Sequence, residues 1–225
     1  MLIIKKNFLG LLLLSTSFFY TAQTFGQTEN SEIPNSRPVE KERYQNVKGS
    51  PYFFKEWQRG TVISREAKII EGVLLNYNGE THSLEVKTDE DLIELNPLHY
   101  IRFTVHNKQS DEAIIFQKNF FPPLANQFTR VVYKGKTLSV VEQFTVKIET
   151  KLPTTVGQDE EIRQFLRKRR YYLVKNKKPS AIKLKKKSVL AALGNPPQLE
   201  KYVKQEKLKL NTEAELIQVL KFYEQ

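Results

Sequence analysis

The 225-residue chain has no cysteine, a single methionine (Met1), 27% charged residues and a formal net charge of +11. The missing cysteines exclude thiol catalysis, disulfide staples and cysteine metal sites, so the fold must rest on its apolar core, as one domain or two small ones. The charge is one-sided: residues 151–225 hold 18 basic and 8 acidic side chains, whereas residues 51–150 hold 12 and 13. Such a distribution bears on anionic partners rather than on the fold.

Lys5 and Lys6 precede Phe8-Leu9-Gly10-Leu11-Leu12-Leu13-Leu14, and Ser15-Thr16-Ser17 follows. This order predicts a secretory signal peptide over residues 1–26. The apolar run is far short of the roughly 20 residues that span a bilayer, so no transmembrane segment is expected after cleavage. Thr24-Phe25-Gly26 places the cut before Gln27, because a cut after Ala22 would put bulky Tyr20 at the outer position. An uncleaved anchor is the competing reading. The expected address is periplasmic or secreted, without a lipid anchor.

Residues 27–50, with Pro34, Pro38 and mixed charges, read as a flexible tether. Residues 51–150 read as a β-rich domain of short apolar runs between turn signals. The runs are Thr61 to Ile63, Ile69 to Tyr77, Ser83 to Lys87, Leu92 to Leu95, Tyr100 to Val105 and Ile114 to Gln117. Asn78-Gly79 is a hairpin signal, since both residues tolerate positive φ. In the return strand Leu84 and Val86 are expected on one face, with Glu85 and Lys87 on the other. Phe120-Phe121-Pro122-Pro123 stops any regular element. Thr129 to Tyr133 and Thr137 to Ile148 bracket Lys134-Gly135-Lys136 as a further hairpin.

Residues 151–225 read as a basic hairpin followed by C-terminal helices, packed on the β-domain. Tyr171 to Val174 and Ala181 to Leu184 pair across Asn176-Lys177-Lys178-Pro179. A short helix over Ser188 to Leu193 ends at Gly194, and Asn195 caps a second helix with Pro196 as its first residue. Thr212 and Glu215 form a capping box for a third, with an apolar stripe at Leu216, Val219, Leu220 and Tyr223. The fold class expected is α+β: an antiparallel β-meander, as an open barrel or a sandwich, then the hairpin and helices.

Gly49-Ser50-Pro51-Tyr52, Trp57 and Gly60-Thr61-Val62 resemble the start of a group of uncharacterised exported proteins of Bacteroidota-type bacteria. Val131-Val132-Tyr133-Lys134-Gly135-Lys136 is similar to their mid-chain hairpin. Tyr171-Tyr172, Lys186-Lys187-Ser188, Leu216-Ile217 and Phe222-Tyr223 are similar to their C-terminal region, with Phe222-Tyr223 where a tyrosine pair is expected. The resemblance covers most of residues 49–225. It implies an exported β-rich protein and carries over no catalytic residue.

Between Arg163 and Lys187 stand 12 basic residues and no acidic one. Along Ile182-Lys183-Leu184-Lys185 apolar and ammonium groups alternate. Arg167, Arg169, Arg170, Lys183, Lys185, Lys186 and Lys187 are the expected anion-binding residues. Their partner would be an anionic envelope component (lipid headgroups, lipopolysaccharide or acidic glycan), by peripheral membrane contact or through a partner protein. Nucleic acid is disfavoured by export. A solvated lysine-rich sheet edge is the bland alternative.

Asp89-Glu90-Asp91 with Glu94 lacks the alternation and glycine of a calcium loop. His82, His99 and His106 lack metal-ligand spacing. Neither a nucleophile elbow, a phosphate loop nor a zinc-protease motif occurs. Tyr52, Phe53, Phe54 and Trp57 read as core rather than as a sugar platform. No cofactor and no metal are expected, and the protein is read as a non-enzymatic binding or scaffolding protein. Two alternatives stand beside it. One is a carboxylate hydrolase using Glu85, Asp89, Asp91 and Glu94. The other is a structural subunit docking through Leu216, Val219 and Tyr223.

Overall fold

The computed structural model describes residues 33–40, 42–106, 113–151 and 161–225. The expected signal peptide and its cleavage position lie outside the described residues. The strands are β1 (Ser36–Pro38), β2 (Val47–Lys48), β3 (Gln58–Ser64), β4 (Ile69–Asn78), β5 (Ser83–Lys87) and β6 (Leu92–Leu95). They continue as β7 (Tyr100–His106), β8 (Ala113–Gln117), β9 (Thr129–Lys134), β10 (Leu138–Lys151), β11 (Ile162–Lys175) and β12 (Lys178–Ile182). Three helices follow: α1 (Lys186–Ala192), α2 (Pro197–Gln205) and α3 (Glu213–Tyr223). None of the described helices is long and apolar enough to cross a membrane.

The strands form one open sheet in the order β1-β6-β5-β4-β3-β7-β8-β9-β10-β11-β12. Every pair along this path is antiparallel, and β2 joins β11 in parallel, so the sheet is mixed. The architecture is α+β, a β-rich region followed by helices. The basic third is continuous with the rest, because β10 and β11 pair in unbroken register over all 14 residues. The sheet curls strongly. Gly79 O accepts the Val146 N–H at 2.8 Å, although four strands separate β4 from β10 in the sheet order.

The curl encloses an aromatic core. Tyr77, Phe103, Phe116, Phe128 and Phe144 are almost fully buried, and the Phe103 and Phe116 rings stack at 4.4 Å. Phe53 joins them edge-on against Phe116 and Phe144, at 4.9 and 5.2 Å. Burial of such rings stabilises by about 1.5–3 kcal/mol each. A second core lies under the helices. Leu138, Val140, Leu173 and Ile182 of the sheet pack on Val189, Leu199, Val203, Leu216, Val219 and Leu220. The α3 stripe is therefore spent inside the chain, with Leu216, Val219 and Leu220 buried and Tyr223 half-buried.

Several elements depart from the sequence reading. Residues 36–38 and 47–48, placed in the tether, are strands on β6 and β11, and Arg43 between them is anchored by a buried carboxylate. The tether reading rested on polarity, but here polar side chains are the ones that dock. The β4–β5 hairpin forms, yet its turn spans Gly79 to His82, and the residue with positive φ is His82, at 58°. Gly79 serves close approach instead: a Cβ there would stand 2.6 Å from Cε1 of Phe144. Ser83, Leu84, Glu85 and Val86 are all buried, so β5 lacks the solvent face its alternation predicts. β11 starts nine residues before Tyr171, because arginines hid its alternation. Its hairpin turn is Asn176-Lys177, both at positive φ, and Pro179 already lies in the edge strand β12. Pro196, not Asn195, caps α2.

Candidate functional site

The register of β10 and β11 sorts the basic run by face. Arg167 and Arg169 alternate with Tyr171 and Leu173 on the face that carries Phe144 and Val146. Arg167 donates through Nη2 to the carbonyls of Tyr52 and Phe53 at 2.9 and 3.0 Å, with its guanidinium 5.2 Å from the Phe144 ring centre. Arg169 lies 4.6 Å from the Phe53 ring centre, and its Nη1 is 3.1 Å from Oε1 of Glu142. These two arginines are structural ties as well as exposed charges.

Glu142 is fully buried. Its Oε2 accepts from Nε of Arg130, while Oε1 has only the ion pair with Arg169 and no hydrogen bond. The Arg130 fork reaches on to Glu213 at the start of α3, with Nη1 to Oε2 at 3.0 Å. Tyr171 donates to the same carboxylate at 2.8 Å. Burial would raise the Glu213 pKa, but the donation from Arg130 and Tyr171 outweighs it and holds the group ionised. This network fastens the helices to the sheet.

The other face of β11 carries Leu166, Lys168 and Arg170, opposite Lys147, Thr145 and Gln143 of β10. Lys183 follows Ile182, the cross-strand partner of Tyr171, and Lys185, Lys186 and Lys187 lie at the entry to α1. All four lysines are exposed. None of Lys168, Arg170, Lys183, Lys185, Lys186 and Lys187 forms an ion pair with a described residue. The free edge of β11 is covered by β2 at Arg163 and Gln164 and by β12 from Tyr171 onward. Phe165 to Arg170 between them take no strand partner on that side among the described residues. The uncovered stretch of edge thus falls at four consecutive cationic residues whose side chains alternate between the two faces. The expected anion-binding residues fall into three places: Arg167 and Arg169 on the face of β11 that carries Phe144, Arg170 on the opposite face, and the four lysines beyond β12.

The carboxylates of the hydrolase alternative are arranged differently. Glu85 and Glu94 are cross-strand partners, within a row Asn76-Glu85-Glu94-Arg37 that crosses four strands. Glu85 is fully buried and accepts from Arg43 Nη2 at 2.6 and 2.7 Å, the Tyr52 hydroxyl at 2.8 Å and Asn78 Nδ2 at 2.8 Å. Burial and the Glu85 carboxylate together push the Tyr52 phenol pKa up. The lone pairs of the Glu85 carboxylate are thus engaged by donors of the chain itself. Glu94 pairs with Arg37 at 3.1 Å. It borders a cavity of about 370 Å³ with Asn35, Ser36, Arg37, Asn96 and Pro97. Asp89 and Asp91 lie in the exposed β5–β6 turn.

The histidines are apart: His82 lies against Tyr77, His99 is 3.4 Å from Glu66, and His106 ends β7. Sequence reasoning passed over Arg43 beside Glu85, and Arg130 and Glu213 around Glu142, and it gave Tyr52 and Asn78 other roles, as core and as hairpin turn. A carboxylate flanked by apolar neighbours (Glu85 between Leu84 and Val86, Glu142 after Val140-Val141) was the available signal. Lys118 was passed over too. It is 3% exposed, and burial, with the Arg65 charge beside it, lowers its pKa to about 8. Comparison of the chain with protein-family models, curated proteins and solved structures finds no match in any of the three.

Proposed function

We propose that this is an exported, non-catalytic binding protein of the cell envelope, whose basic C-terminal third holds an anionic surface. One observation carries the reading. Lys168 and Arg170 stand on the open stretch of β11, Lys183 follows the end of β12, and Lys185, Lys186 and Lys187 lie at the entry to α1, all without an ion pair to any described residue. The internal cations Arg130 and Arg43, by contrast, have carboxylates beside them. Six unneutralised charges repel one another, and an anionic surface relieves that repulsion. Each contributes about 1 kcal/mol near an anionic membrane. Catalysis has less support, because the most buried candidate carboxylate, Glu85, is saturated with donors.

The test is sedimentation of the protein with anionic and neutral liposomes and with lipopolysaccharide, at low and physiological salt. Binding to the anionic set should fall with salt and with charge reversal at Lys183, Lys185 and Lys187. Binding that ignores salt, or no binding, overturns the reading. Export is tested separately: protein recovered from the periplasm or medium should begin at Gln27.

A further inference from the structure

The outer face of the β10–β11 pair carries an apolar group among its charges. Leu166 is 43% exposed and stands directly opposite Lys147. Lys168 is the next residue on the same face, and Arg170 the one after. Cross-strand partners and i+2 neighbours are the closest contacts on a sheet face, so Leu166 projects between two cations, Lys147 and Lys168, with Arg170 one step beyond Lys168 and Glu149 beyond Lys147. Lys147, like Lys168 and Arg170, forms no ion pair with a described residue. Farther along, the face is closed by Tyr172 and Gln143, which share a hydrogen bond of 3.3 Å. The open part is thus a mainly basic patch with an exposed leucine at one end, on the two longest strands.

We propose that this patch lies on an anionic lipid bilayer. Leu166 enters the headgroup boundary, and Lys147, Lys168 and Arg170 meet lipid phosphates. The inference rests on the anionic-surface reading and narrows it to a lipid surface. Charge complementarity alone would suit a soluble polyanion equally. The exposed leucine separates the two, because a hydrated polyanion offers it no apolar environment, whereas a bilayer does.

The experiment uses the full chain with vesicles of phosphatidylcholine alone, vesicles of equal parts phosphatidylcholine and phosphatidylglycerol, and dextran sulfate as the soluble polyanion. Thermal melts first establish that Leu166→Ser, Leu166→Trp and Lys168→Glu remain folded. Leu166→Ser should weaken partition to the anionic vesicles about fivefold and leave dextran sulfate binding unchanged. Leu166→Trp should retain vesicle binding and shift its emission to the blue there. Lys168→Glu should weaken both about fivefold or more. If Leu166→Ser binds vesicles like the parent while Lys168→Glu loses both ligands, the lipid proposal falls and the wider anion reading stands. If the parent binds neither ligand at low salt, both fall.

Discussion

Arg43 closes on Glu85 with Nη2 at 2.6 and 2.7 Å from the two carboxylate oxygens, and Glu85 has no solvent exposure at all. Arg43 sits in the segment before β2, 42 residues away along the chain. The pair therefore fastens that segment over β5, and Tyr52 and Asn78 complete the shell. Removing one partner leaves a buried charge uncompensated, which costs about 3–5 kcal/mol. Arg43→Ala should lower stability by that order in urea denaturation and open residues 42–50 to limited proteolysis. Arg43→Met with Glu85→Leu should recover most of the loss, since no charge is then stranded. A double variant as unstable as Arg43→Ala would show that packing, not charge, is at stake.

Gly79 distinguishes two reasons for a glycine. Turn chemistry would ask for positive φ there, a demand that asparagine meets nearly as well. The structure gives a different reason, because a Cβ at Gly79 would stand 2.6 and 2.7 Å from the Phe144 ring and 2.8 Å from Val146 Cγ2. Gly79→Asn should therefore be as harmful as Gly79→Ala, each costing about 1–3 kcal/mol through overpacking. Phe144→Leu should relieve part of the Gly79→Ala penalty in a double-mutant cycle. A stable Gly79→Asn would show that the Phe144 ring can yield to a Cβ and would remove close approach as the reason for the glycine.

The same contrast measures what the sequence disclosed. The run through Phe103 and Val105, and the apolar spacing of α3, were legible because period and burial coincide there. β11 was half hidden: its inner positions include Arg167 and Arg169, whose guanidinium groups lie over Phe144 and Phe53. Cations that stack on rings carry no apolar signature. The anchoring of residues 34–50 was unreadable for a similar reason, since Arg37 and Arg43 dock by ion pairs whose partners lie 57 and 42 residues onward. Long-range polar pairing leaves no local pattern. The basic run itself was visible, but its division between the two faces of β11 depends on register with β10, which no local signal fixes.

Lys118 is a buried ammonium whose nearest polar contact is the Pro97 carbonyl, and its Nζ lies 4.2 Å from the Phe128 ring centre. Burial, with help from the Arg65 charge, lowers its pKa from 10.5 to about 8. The folded state therefore binds fewer protons than the unfolded chain between about pH 8 and 10.5. Stability contributed at this site rises with pH across that window, and the full penalty stands below pH 8. Lys118→Met should raise stability at neutral pH by about 1–2 kcal/mol and remove that slope. A wild-type denaturation midpoint that is flat over the window would contradict the assignment.

Glu224 behaves oppositely at the acid end. Its Oε1 accepts from the Thr137 N–H at 2.7 Å, the Thr137 hydroxyl at 2.8 Å and the Leu138 N–H at 3.2 Å. Its Oε2 accepts from the Tyr133 hydroxyl at 2.7 Å and the Lys136 N–H at 3.1 Å. Burial acts to raise the pKa, but these donors outweigh it and hold the group down at about 2, against 4.5 unperturbed. Stability from this clamp is complete above about pH 4.5 and is lost as pH falls through 2. Glu224→Gln should cost about 1–2 kcal/mol at neutral pH, where hydrogen bonds to a charged acceptor count most, and progressively less towards pH 2. Gly135→Ala should act on the same clamp from the hairpin side, since its Cβ would overlap the Glu224 carboxylate. The two substitutions should therefore be less than additive in thermal denaturation at pH 7. Full additivity, or a Glu224→Gln cost that persists at pH 2, would separate the hairpin tip from the α3 end and remove the clamp as the tie between them.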